Sequence, residues 1–168
     1  ALRVTREDSV ENIAQQEADA LWTTEPGISV GVRTADCAPV LLRHKARLCV
    51  AAIHAGWRGA VAGIVPKTLQ EICQILDLKA ADFEAEIGPC ISFDVYEIGP
   101  EVAVQIPKAF LKPGQGDKSY LDLRGLIKHQ LEQAGVENII VSKHCTYSEP
   151  ENYYSVRRGD SGRQVSFL

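Results

Sequence analysis

Ile28-Ser-Val-Gly-Val-Arg33-Thr-Ala-Asp-Cys37-Ala-Pro-Val-Leu-Leu42 and Leu48-Cys-Val-Ala-Ala-Ile53-His-Ala-Gly-Trp-Arg-Gly59 are the two stretches on which the fold turns. Ile28–Arg33 alternates apolar with small or polar residues, the pattern of a strand. Pro39–Leu42 and Leu48–Ile53 are short apolar runs that read as two more strands, joined by the polar hairpin loop Arg43-His-Lys-Ala-Arg47. A chemically active side chain stands at a strand end in each stretch: the thiol of Cys37 and the imidazole of His54. Residues that force a turn or start a helix follow each one. Two such ends can meet on the rim of a sheet although they lie far apart in sequence.

Working outward, residues 8–21 carry Val10, Ile13, Ala14, Ala18 and Leu21 at helical spacing. Downstream, Ala60–Leu78 puts Val61, Ile64, Val65, Leu69, Ile72, Cys73 and Leu76 on one helical face, with Pro66 in the first turns or at a kink. Phe83–Ile87 is a short strand stopped by Gly88-Pro89. Glu101–Phe110 and Leu121–Ala134 read as helices, the second stopped by Gly135. Glu137–Ser142 is another strand, and the tail from Tyr153 to Leu168 reads as a hairpin closing around Gly159-Asp-Ser-Gly162. Strands and helices do not alternate regularly. The expected fold is therefore α+β: a single domain over residues 1–168, with a mixed sheet and flanking helices.

Composition narrows the class. The chain has 168 residues, 45% hydrophobic and 24% charged, which is ordinary for one globular domain. A net charge of −4 argues against nucleic acid as a partner, because a phosphate backbone needs a basic face. No apolar run is long enough to span a membrane. The five cysteines show neither disulfide-scaffold nor zinc-ribbon spacing, which fits reduced thiols in a cytoplasmic protein.

Cys37 sits between Asp36 and Ala-Pro39, which disfavours a regular helix there. Alone it reads as packing, and it becomes a ligand or nucleophile only where positive charge or a metal favours the thiolate. His54 ends an apolar strand, where an imidazole has little packing value, which leaves a functional role or a satisfied structural hydrogen bond. Gly56 and Gly59 allow tight turning and close approach to a ligand. Amides at the start of the next helix, with Arg58 as a bidentate clamp, could receive an anion. Arg58 could instead pair with Asp36 and brace the site. Trp57 reads as core packing before a stack for a planar ring, and Cys90 as a buried structural thiol or a second reactive one. His44 and His129 are expected at the surface. His144 and Cys145, adjacent on an extended segment, would point to opposite faces and not coordinate jointly.

Taken together, these blocks resemble the YfiH-like family, also labelled polyphenol oxidase or laccase-domain proteins, whose bacterial members are described as purine nucleoside phosphorylases. The resemblance rests on Thr34–Leu42, His54–Gly59, Ile87–Ile91 with Tyr96–Gly99, Asp122-Leu123, Cys145-Thr146 and Arg157-Arg158. It implies an α+β fold and a zinc held by two histidines and one cysteine. By motif the cysteine is Cys37 and one histidine is His54. The other belongs to a His-Gly motif that in the family lies just before the region where this chain begins. An N-terminal segment carrying that third ligand is therefore expected upstream of Ala1.

The implied activity is zinc-dependent purine nucleoside phosphorolysis, extending to adenosine deamination and methylthioadenosine phosphorolysis. The partners are small purine nucleosides and phosphate. From residue type, Arg58 with the Gly56 and Gly59 amides is the candidate phosphate site, and Asp36 orients Arg58 or acts as an acid–base group. Three alternatives stand beside it. A Cys–His hydrolase or deamidase would use Cys37 as nucleophile and His54 as base. A copper-dependent polyphenol oxidase would need clustered imidazoles, and the chain has only four histidines. A non-enzymatic binding domain would keep only a residual metal site.

Overall fold

The computed structural model describes the backbone of residues 1–168 and every side chain except those of Val10 and Ala14. In chain order its elements are β1 (Leu2–Arg3), α1 (Val10–Ala14), β2 (Ala20–Thr23), β3 (Gly31–Thr34), β4 (Ala38–His44) and β5 (Val50–Ala55). Then come α2 (Trp57–Val61), α3 (Ile64–Leu76), β6 (Phe83–Ile87), β7 (Glu97–Ile98) and α4 (Pro100–Ala103). The remainder is β8 (Leu111–Pro113), β9 (Ser119–Leu121), α5 (Leu123–Gln133), β10 (Asn138–Val141) and β11 (Gln164–Phe167).

Among the described residues the main sheet runs β1-β2-β5-β4-β6-β10, with its outer pairs parallel and its inner pairs antiparallel. The fold is α+β with a mixed sheet. Alternation along the central strands sorts side chains to its two faces. Ala38, Val40 and Leu42 of β4 join Ala51, Ile53 and Ala55 of β5 in the main core. Val65, Leu69 and Ile72 of α3 and Leu123, Ile127 and Leu131 of α5 complete that core. Each large aliphatic side chain buried there contributes about 1.5–3 kcal/mol. On the opposite face Ala52, with Leu21, Leu41 and Val50 beside it, packs under Val30 and Val32. β3 and β11 pair antiparallel over that face, and β7-β9-β8 form a small separate sheet.

Several elements depart from their expected form. The helix expected over 8–21 is confined to Val10–Ala14, capped by Ser9, and Ala20–Leu21 belong to β2. Pairing of Ala20–Thr23 with β5 in register wins over the local helical spacing. The Val10 and Ala14 side chains, part of that expected apolar face, lie outside the described side chains. The helix expected over 60–78 is two helices, broken at Gly63 with φ 72°, a backbone state that glycine enters without strain. Pro66 sits in the first turn of α3. Instead of a helix over 101–110 there is a single turn, α4, followed by a 3-10 turn at Lys108–Phe110. Pro107 lies between them and has no N–H to continue a ladder.

The closing hairpin is not formed. Arg158 spends its guanidinium on the carbonyls of Thr146, Tyr147 and Tyr153 and on Asp160, folding that segment on itself. β11 finds its partner in β3. His44, expected at the surface, is 6% exposed and packs edge-on to Phe83, with Nδ1 accepting the Ala46 N–H.

Candidate active site

His54 lies opposite Pro39 in the β4–β5 ladder, so its side chain is on the sheet face away from α3 and α5. Cys37, one residue before β4, arrives at the same rim, with its thiol beside the imidazole. The approach depends on Gly56: a Cβ there would stand 2.9 Å from Cys37 Sγ. From the other flank, Asp19 precedes β2. Its carbonyl accepts the His54 N–H at 2.7 Å and its carboxylate lies 2.9 Å from His54 Nδ1. The Cys37 side chain, and after it Asp19, push the imidazole up to about 9 against the lowering effect of burial.

Asp36 is placed differently from expectation. Its φ of 91° turns the chain sharply before Cys37. Its buried carboxylate accepts the Thr146 hydroxyl and the Arg157 main-chain N–H, both at 2.7 Å. The pairing of Asp36 with Arg58 is not made. Arg58 is exposed and lies over the Trp57 ring, 4.4 Å from its centroid. Both oxygens of Asp36 are engaged in tying the 146–157 segment to the residue next to the thiol.

That segment brings residues that the motif reading left without a role. The Arg157 guanidinium lies 5.3 Å from the Tyr96 ring centroid and donates to the Glu97 carbonyl at 2.7 Å. Tyr96 is buried within electrostatic reach of Cys37, and burial, reinforced by that thiol, pushes its phenol up to about 12. Asp19 was missed because a helix over 8–21 hides a residue that opens a strand. A period-two reading of Ala20–Thr23 was the available signal. Gly59 has a packing reason for lacking a side chain, since a Cβ would meet Ile64 Cγ2 at 3.2 Å.

Cys90, His129 and His144 make their contacts elsewhere. Cys90 is fully buried, accepts from Arg124 Nε at 3.3 Å and is pushed up to about 11 by burial. His144 Nδ1 is 2.8 Å from Glu149, and the ring of His129 lies against Phe110. Cysteines 37, 49, 73, 90 and 145 are all free thiols. A thiolate and an imidazole are donors that zinc accepts. Among the described residues, though, no group of three or more His, Cys, Asp or Glu side chains is arranged to hold a metal ion. The donor types at this rim fit zinc, and their number here is two.

The family model described as multi-copper polyphenol oxidoreductase laccase matches residues 1–168, and the chain belongs to this YfiH-like family. It is similar to the purine nucleoside phosphorylase YfiH of Shigella flexneri, 37% identical over 166 residues that cover 94% of this chain and 66% of that protein. Adenosine deaminase RL5, from an unknown prokaryotic organism, is 37% identical over 162 residues, covering 88% of this chain and 61% of that one. The chain thus spans less than two thirds of the length of these relatives. Among solved structures, the YfiH protein of Bacillus licheniformis superposes with a TM-score of 0.91 at 29% identity, covering 98% of this chain and 68% of that one. YlmD of Geobacillus stearothermophilus gives 0.89 at 28% identity, covering 99% and 67%.

Proposed function

We propose that these residues form the catalytic domain of a zinc-dependent purine nucleoside phosphorylase that also deaminates adenosine and accepts methylthioadenosine. The supporting observation is the Cys37 thiol beside the His54 imidazole on one sheet rim, in a chain whose relatives are named phosphorylase and deaminase. Cys37 and His54 would hold the metal, with a histidine from outside residues 1–168 as the third donor. Bound there, zinc would supply a Lewis acid and lower the pKa of water at neutral pH.

The protein's own groups do the rest. Arg58, making no ion pair among the described residues, offers its donors to phosphate. The Gly59 N–H, in the first turn of α2, has no helical carbonyl to bond, and with the Gly56 main chain it completes the anion site. Asp36 braces the thiol's turn. Tyr96 keeps its proton and closes the wall beside Cys37. The five free thiols support a reducing, cytoplasmic setting. No helix among the described residues is long and apolar enough to cross a membrane.

The deciding assay incubates the natural-length protein with adenosine, with and without phosphate, and separates the products. Free adenine that requires phosphate and disappears in Cys37→Ala and His54→Ala is the expected result, and inosine without phosphate marks deamination. Intact adenosine in a metal-loaded protein would end this reading. A second reading draws on the line Asp19–His54–Cys37, which matches a thiol nucleophile, its base and the base's orienting carboxylate. That hydrolase would resist chelators and die on alkylation of Cys37. A copper oxidase would oxidise phenols only after copper loading.

A further inference from the structure

We propose that Asp19 is the positioning residue of the site: in the neutral ring it holds the proton of His54 on Nδ1 and so leaves Nε2 as the lone-pair nitrogen. The inference rests on the reading of Cys37 and His54 as the working pair. Asp19 grips His54 twice, by its carbonyl on the main-chain N–H at 2.7 Å and by its carboxylate at 2.9 Å from Nδ1. The main-chain bond extends the β2–β5 ladder by one residue, which fixes the carboxylate's origin relative to the ring. A neutral imidazole carries one proton, and the nitrogen facing a carboxylate keeps it. The lone pair then sits on Nε2, the nitrogen left over for a metal or for the thiol. Carboxylates behind ligating histidines raise ligand basicity and fix ring orientation in just this way.

The test reads the tautomer directly. In the Cys37→Ala protein, which removes the competing thiol, nitrogen-resolved imidazole spectra are recorded at a pH above the ring's titration. The His54 signal is assigned as the one lost in His54→Gln. The expected state is Nδ1–H, shifting to Nε2–H when Asp19→Ala is added. Asp19→Asn, whose amide oxygen accepts the same bond, keeps it. An identical tautomer with and without the Asp19 side chain overturns the proposal.

A parallel cobalt titration of the natural-length protein follows thiolate-to-cobalt absorption. Asp19→Ala lowers apparent affinity by about 10- to 100-fold, with Asp19→Asn in between. Cobalt binding that needs Cys37 and His54 yet ignores Asp19→Ala refutes the positioning role and leaves the metal reading intact. Absence of cobalt absorption with a tautomer that still answers to Asp19 does the reverse.

Discussion

Gly56 has φ −78°, a conformation open to any residue, so its identity is set by the sulfur beside it and not by backbone strain. Gly56→Ala should therefore leave folding nearly untouched while pushing Cys37 away from His54. The expected outcome is at least about a tenfold loss of metal affinity, since a ligand displaced by under an ångström no longer meets its partner. Equilibrium unfolding and cobalt titration of the same variant separate the two effects. Thiol chemistry gives a second check at this scale. Cys49 and Cys90 are buried and pushed up to about 11, so neither forms a thiolate readily. Partly exposed Cys37 should alkylate well before Cys49 or Cys90, as mapped by peptide mass spectrometry after brief iodoacetamide treatment, with Cys90 unmodified until the protein unfolds.

Between β10 and β11 the chain has no regular ladder, and its order comes from charged groups gripping main-chain atoms. Asp36 is the main anchor. Asp36→Ala should cost about 1.5–3 kcal/mol, because two donors lose a charged acceptor. Asp36→Asn should cost less, since an amide oxygen still accepts and Asn tolerates positive φ better than Ala. Urea unfolding of both variants measures the difference. Carboxylates in the same segment make its order depend on acid. Glu149 is held low by the Cys145 N–H and His144, and Asp160 by the Ser155 N–H and Arg158. Lowered carboxylate values stabilise the folded form above the ordinary values of 4.5 and 3.8. That stability is lost as pH falls through the lowered values. Amide exchange, corrected for intrinsic rate, should thus accelerate across residues 144–160 as pH falls below the ordinary carboxylate values, before α3 responds.

Over the whole molecule, His54 sits on the sheet face opposite the α3 and α5 side chains that fill the main core. Ile72 is fully buried between α3 and the sheet, and Ile72→Ala should cost about 2–5 kcal/mol in thermal or denaturant unfolding. Below the lowered Tm the thiol–imidazole contact should persist. The same separation explains what could be read in advance. β4, β5 and β6 were legible because their apolar runs are buried on the sheet whatever surrounds them, and Cys37 and His54 were legible as polar interruptions of those runs. Asp19 and the role of Asp36 were not. Asp19 depends on a strand pairing that overrides local periodicity, and Asp36 bonds residues whose approach no local pattern encodes. Arg58 was read as a possible partner for Asp36 because they flank the same site, but an aromatic face next to it in sequence offered a nearer contact.

The bonds that latch Asp36 join residues 110 and 121 positions apart. During synthesis the thiol and the imidazole leave the ribosome long before Thr146 and Arg157 have been made. The hairpin that carries them can pair early, but its turn at Asp36 stays unlatched until the chain past Arg157 emerges from the exit tunnel. A nascent chain stalled before that point shows a cysteine without its finished surroundings, open to oxidants and stray ions. The turn before the thiol therefore gains its last two bonds only once residues 110 and 121 positions downstream are available, so a late translational pause should prolong its exposure.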